Sequence, residues 1–292
     1  MPLANPFLPD APTDAEDLEL VKRVQAGSRN ALEALVGRHQ PWIYNIVVRM
    51  LYTPQDAEDA TQEILIKLLT KLSTFEARTS FRTWLYRIVL NHTLNLKRKR
   101  RNDWTFADYA RVLDSTEVME LPDPSLVPAD VQLLVQEAKI GCTSGMLLCL
   151  EPEQRLVYIL GEILGVTDVV GAELLEISRE SFRQKLARAR RDLHSFMNEQ
   201  CGLVNTANPC RCAKKTQGFI RAGYVDPSNL LFAQQRVVRV RDVAEKKLVD
   251  LESLDAAYAD LHRDHPFYAA PDYVASLRKL LEHPEVKSIC AF

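Results

Sequence analysis

The chain has 292 residues, 47% of them hydrophobic, so it can bury two or three small cores and is too apolar to be disordered. Its formal charge of −2 hides segregation: basic runs at Lys97–Arg101 and Arg179–Arg191 face an acidic N-terminal part and an acidic middle, which suits local contact with a polyanion on a near-neutral protein. No apolar stretch is long enough to span a bilayer, and Pro2, Pro6, Pro9 and Pro12 interrupt any signal-peptide order, so a cytoplasmic protein without a membrane segment and with reduced cysteines is expected.

Helical periodicity begins at Asp14–Ala26 with Leu18, Val21 and Val24, continues through Asn30–His39 with Leu32, Leu35 and Val36, and resumes over Pro41–Tyr52 with Trp42, Ile46, Val47 and Met50. Thr53 and Pro54 then suit an N-cap and a first helical turn. In the helix they start, Ala57, Ala60, Ile64, Leu68 and Leu72 form one stripe, while Asp56, Asp59 and Glu63 share another face with Gln62 nearby. Carboxylates in a first turn also complement the helix dipole, so on spacing alone a solvated face serves as well as a docking face. Phe75, Phe81, Trp84 and Tyr86 follow, interleaved with Arg78, Arg82, Arg87 and hydroxyl side chains. That mixture fits a surface that stacks unpaired bases and holds their phosphates, although Trp84, Ile88, Leu85 and Val89 are also spaced like a buried stripe. The basic run from Lys97, including Arg98, ends the segment and calls for a polyanion.

Residues 105–130 read as a linker, with Asp114–Asp130 carrying Pro122, Pro124 and Pro128 among acidic residues. A second helical block covers 131–198. A helix from Glu151 to Gly165 precedes a short one with Val169, Val170, Ala172, Leu174 and Leu175, a turn at Glu176 and Ile177, and a third helix capped by Ser178. Phe182, Leu186, Ala189 and Leu193 make its buried stripe and leave Arg179, Arg183, Gln184, Arg188 and Arg191 outward. Two helices joined by a short turn, the second basic outside, form a helix-turn-helix whose early residues reach bases in a major groove.

The succession of acidic helix, aromatic segment and basic helix from Leu18 to Arg101 resembles region two of bacterial sigma factors of the sigma-70 family, especially the extracytoplasmic-function type. Leu150–Leu193 resembles region four of the same family. The resemblance implies an all-α protein: region two at 14–104, a linker at 105–130, region four at 131–198 and a C-terminal extension at 199–292. It further implies that Asp56, Asp59, Gln62 and Glu63 bind core RNA polymerase. The minus-ten promoter element would fall to Phe75, Arg78, Phe81, Trp84, Arg87, Asn91, Lys97 and Arg98, and the minus-thirty-five element to Arg179, Ser181, Arg183, Gln184 and Arg188. Promoter DNA and an anti-sigma factor are the other implied partners, and no enzymatic activity is expected. Where relatives often carry Asp after the Asn of the last region-two helix, this chain has Asn91 followed by Asn95.

Beyond Asn198, Cys201, Cys210 and Cys212 cluster downstream of His194; plain reduced thiols without a cofactor are the leading reading, with zinc bound by three cysteines and a histidine, at an unusually tight Cys-x-Cys spacing, and a thiol switch as the alternatives. The rest reads as a helix over Arg236–Arg263 and a final one with Val274, Leu277 and Leu281. Regulatory tails in some family members imply a regulatory role here. The rival readings are a free-standing helix-turn-helix regulator, which leaves the acidic helix unexplained, and a metal- or redox-sensing adaptor.

Overall fold

A computed structural model describes residues 5–7, 13–99, 104–119, 129–233, 238–239 and 254–282. Among the described residues the fold is all-α apart from one antiparallel pairing of two residues on each side, and its contacts divide it into two compact units. The first comprises residues 1–100, 166–182 and 268–292; the second comprises 101–165 and 183–267. This division cuts across the sequence-based domain boundaries, because residues 166–182 cluster with the first hundred.

Unit one is built around α2 (Arg29–Leu51), with α1 (Thr13–Gln25), α3 (Pro54–Leu72) and α4 (Phe81–Lys99) packed on it. Two helices were expected across Pro41, but a single helix runs through it. Leu32, Leu35, Val36, Trp42, Ile43, Ile46, Val47 and Met50 are all fully buried. That continuous apolar face offsets the roughly 3 kcal/mol cost of an internal proline. Within the core, His39 pairs with Asp17 at 3.0 Å, both side chains buried. Chain from the C-terminal end completes the unit: α12 (Tyr273–Glu282) packs on α2, and Tyr268 exchanges backbone hydrogen bonds of 2.8 and 3.0 Å with the Asn45 amide.

Unit two contains α5 (Phe106–Ser115), α6 (Ala129–Met146), α7 (Pro152–Tyr158), most of α9 (Arg179–Gln200), α10 (Cys212–Arg221) and α11 (Leu254–Arg263). The span expected as a linker therefore contains a helix. Thr105 and Asp108 close a capping box at its start, and Leu113 is buried. The helix expected over Glu151–Gly165 changes character after Tyr158, where Ile159–Ile163 form a π turn before Gly165 at φ +70°. The π turn holds Glu162, which is buried and meets Arg190 of α9 at 2.5 Å and Arg263 of α11 at 3.3 Å. In place of the start of the long Arg236–Arg263 helix, Val238–Arg239 form a strand paired with Pro266–Phe267. Alternating valine and arginine at 238–241 favour extended backbone over helix; residues 240–253 lie outside the described ones.

The segment after α9 is integral to unit two. Lys215 of α10 is buried and donates to the carbonyls of Leu113 and Thr116 at 2.6 and 2.5 Å. Glu137 of α6, also buried, accepts from the backbone amides of Leu231, Phe232 and Ala233 at 2.7, 2.9 and 2.7 Å.

Candidate nucleic-acid interface

On α3, Pro54 begins the helix after an extended Thr53, whose hydroxyl donates to Asp56 at 2.5 Å rather than capping a backbone amide. Asp59, Gln62 and Glu63 are exposed, and Ile66, one turn further on, is 44% exposed. These four occupy one helical face at the i, i+3, i+4, i+7 spacing. The face is acidic at its N-terminal end and apolar at its C-terminal end. Glu63 also pairs with His92 of α4 at 3.1 Å. Beside this face sits α12: Tyr273 and Leu277 are buried, and a small cleft lies between them and Gln62, Leu65, Ile66 and Leu69. Arg278 fixes α12 to Glu33 of α2 through bonds of 2.8 and 2.6 Å.

A groove of about 300 Å³ runs between α3 and α4, lined by Lys67, Lys71, Thr79, Trp84, Arg87, Ile88, Asn91, His92 and Asn95. Trp84, Arg87 and Asn91 thus lie together as expected from sequence. Phe75 and Phe81 do not join them. Both are buried, packed edge-on at 5.6 Å, and each touches Trp84, at 5.1 and 5.7 Å. Their role is to set the indole from beneath; burial of two phenyl rings outweighs exposing them. Arg78 is exposed at the loop before α4 and pairs with Glu76 at 2.6 Å. The side chains of Lys97 and Arg98 lie outside the described residues. Sequence reasoning missed Lys67, Lys71 and His92, although Glu63, Lys67 and Lys71 at i, i+4, i+8 already put two cations on the side of α3 that meets α4.

The helix-turn-helix pairs α8 (Asp168–Leu175) with α9. Glu176 adopts the left-handed conformation (φ 56°) that ends α8, and the amide of Ile177 closes the turn on the Ala172 carbonyl at 3.1 Å. Ser178 then accepts from the Ser181 amide at 3.1 Å, the expected N-cap. Gly171 permits the close crossing, since a Cβ there would run into the Phe182 ring. Arg179, Arg183, Gln184 and Arg188 are exposed along α9 and Ser181 is half-buried. Arg179 also reaches Asp168 at 3.2 Å. Within unit one, α8 packs on α4. Thr83 donates to the Glu173 carboxylate at 2.8 Å, and Arg87 donates to the Glu173 carbonyl at 3.0 Å and pairs with Glu176 at 3.1 Å.

The tail cysteines converge. Cys201, Cys210 and Cys212 line one small cavity in unit two, where the fourth thiol is Cys142 of α6, beside Lys139 and Thr143, and His194 is not among the lining residues. His194 instead stacks on Tyr258 at 4.0 Å.

Residues 35–103 match the model of the sigma-70 region 2 family. The chain is 28% identical to the RNA polymerase sigma-H factor of Pseudomonas aeruginosa over 186 residues, which are 61% of this chain and 92% of that protein. It is 26% identical to the extracytoplasmic-function sigma factor SigW of Bacillus subtilis, covering 61% of this chain and 95% of the relative. With the sigma-E factor of Escherichia coli the figures are 27%, 60% and 90%. Among solved structures, CnrH in complex with the cytosolic domain of CnrY is similar at a TM-score of 0.45 and 22% identity, over 63% of this chain and 97% of that one. The region 2 match spans α3, α4 and the groove between them, and the relatives are aligned over nearly their whole length: the chain belongs to the sigma-70 family of RNA polymerase sigma factors, to its extracytoplasmic-function type.

Proposed function

We propose that the chain docks on core RNA polymerase through α3, opens and reads promoter DNA with the α3–α4 groove and α9, and works by binding rather than by catalysis, in the cytoplasm. The observation that carries this reading is the adjacency, inside the region 2 match, of the exposed Asp59, Gln62 and Glu63 face and a cationic groove with an accessible indole. A carboxylate face suits a basic protein partner. The groove, with Lys67, Lys71 and Arg87 around Trp84, suits an unpaired base and its flanking phosphates. Arg183, Gln184 and Arg188 supply the duplex contacts upstream. An anti-sigma factor would compete for the same surfaces.

The tail enters this reading through α12. Seated beside Gln62 and Ile66, it competes with polymerase for the α3 face. The test is reconstitution of the full chain with core polymerase free of sigma factor and a library of promoter fragments, with transcript starts mapped. Starts downstream of a shared two-part motif are expected, with Asp59→Ala plus Glu63→Ala abolishing polymerase binding and Arg278→Glu, which breaks the Glu33 pair, strengthening it. A folded chain that binds duplex promoter DNA tightly without polymerase, and starts no transcripts with it, would overturn the reading in favour of a free-standing regulator.

A further inference from the structure

Four thiols that are far apart in sequence meet at one point of unit two. Cys142 comes from α6, Cys201 directly follows α9, Cys210 lies in the loop beyond it, and Cys212 opens α10. All four are free, and with Lys139, Thr143 and apolar side chains they line a single small cavity of about 10 Å³, room for one small sphere. Each of the other three lies within electrostatic range of Cys142.

The tight Cys210-Arg211-Cys212 spacing is explained by the backbone. Arg211 is extended, at φ −131° and ψ 124°, and in extended chain residues i and i+2 project to the same side. Both thiols therefore face the cavity while Arg211 turns away and ties the loop down, donating to the carbonyls of Thr206 and Cys210 at 2.8 and 2.9 Å. The loop closes so tightly that a Cβ on Gly202 would strike the Cys210 carbonyl. The Gly202 amide, in turn, is aimed at the Cys210 sulfur. Lys139, Lys215 and Arg211 stand within electrostatic range of the Cys210 and Cys212 sulfurs.

We propose that Cys142, Cys201, Cys210 and Cys212 form a four-thiolate site for a zinc-like divalent cation that fastens the chain after α9 onto α6. Binding releases the four thiol protons to solvent, and the resulting centre, a divalent cation with four thiolates, carries a charge of about −2 that the surrounding cations balance. Among the described residues no three candidate ligands stand at ligating separation, so binding requires the sulfurs to draw together on the ion. The site is structural, since all four ligands come from protein and no open position remains.

The experiment uses the full chain, stripped of metal by a chelator under reducing conditions and then given zinc or cobalt(II) alone. One zinc per chain is expected, with a cobalt spectrum of tetrahedral all-thiolate coordination. Alkylation read by mass spectrometry should show Cys142, Cys201, Cys210 and Cys212 protected by zinc and Cys149, a free thiol outside the cavity, reacting alike with and without it. Cys142→Ser should weaken zinc binding about 100-fold or more. Absence of stoichiometric zinc, or alkylation of Cys142 at the same rate with and without zinc, overturns the proposal. The alkylation arm needs no variant and no promoter, so neither a misfolded Cys142→Ser chain nor failure of the polymerase reading obscures it.

Discussion

Glu137 offers the sharpest test of how the tail is held. Its buried carboxylate is the acceptor for three consecutive amides, those of Leu231, Phe232 and Ala233. In Glu137→Ala those amides lose their acceptor. Leu231 is partly exposed, so water replaces the lost bond there, but Phe232 and Ala233 are each 3% exposed. Two buried donors left unpaired, at about 1–3 kcal/mol each, give a loss of about 4 kcal/mol, against which the better helix propensity of alanine returns only a few tenths. Glu137→Gln keeps one oxygen and turns an NH2 group on the remaining amides, so about half that loss is expected. Because the chain has two compact units, a single urea curve mixes their transitions, and native-state hydrogen exchange is the better assay. Protection of the Phe232 and Ala233 amides should fall by about three decades in Glu137→Ala and by one to two in Glu137→Gln, since about 1.4 kcal/mol corresponds to a factor of ten. A drop of less than tenfold in the alanine variant, or equal drops in both, would refute the reasoning.

Gly171→Ala places a methyl group against Phe182 and should destabilise the α8–α9 crossing by about 1–3 kcal/mol, measured as lost exchange protection in α8. Arg183→Ala and Arg188→Ala should each lower the salt dependence of duplex binding by about one unit if the side chain meets a phosphate; a variant that instead relaxes sequence preference identifies a base contact. Burial pushes the Cys149 thiol up to about 12, above its value of about 8.5 in an unfolded chain. The neutral thiol is therefore the form the fold favours, and this contribution to stability is whole below about pH 8.5 and lost as pH rises towards 12. At pH 8 alkylation of Cys149 in the folded chain should be slower than in urea by at least a hundredfold.

Local signals were the legible ones. Pro54 at the start of α3, Ser178 before Phe182 and the 3.6-residue stripe of α3 are statements about neighbours in sequence, and the structure keeps them, whereas the Thr53 side chain caps no backbone amide and Leu186 of the α9 stripe is only half-buried. The capping box at Thr105 and Asp108 was equally local, yet the prolines further on drew the whole span into a linker. Pro41 failed as a helix breaker because a long apolar face overrides one residue's preference. The aromatic segment could not be sorted by pattern: Phe75, Phe81 and Trp84 share composition, and only packing decides that two rings support the third. Cys142 was invisible beside Cys201, Cys210 and Cys212 because nearly sixty residues separate it from the nearest of them, and such a meeting is fixed by helix packing rather than spacing.

Within unit one the cationic groove is partly tied up by the chain itself, and this sets a limit on how strongly it is held shut. Arg87, a groove residue, is engaged by the Glu173 carbonyl and the Glu176 carboxylate of the α8 end, and Thr83 by the Glu173 carboxylate. Glu176 is 62% exposed and Arg87 29% exposed, so their ion pair contributes at most about 1 kcal/mol. The Thr83 bond adds a similar amount, about 1 kcal/mol. Thr83 also bonds Ser80 at 2.9 Å, so losing Glu173 does not orphan its hydroxyl. The self-contact is weak enough for a ligand with modest preference for the open state to displace it. Glu173→Ala combined with Glu176→Lys should accordingly raise the affinity of the full chain for a single-stranded oligonucleotide by about 5- to 30-fold, the conversion of 1–2 kcal/mol. Part of any gain from the new lysine is general attraction, which Glu180→Lys on the neighbouring α9 turn measures separately. If the double variant gains no more than Glu180→Lys, the Glu173 and Glu176 carboxylates do not limit the groove; the bond from Arg87 to the backbone carbonyl at position 173 survives in the variant.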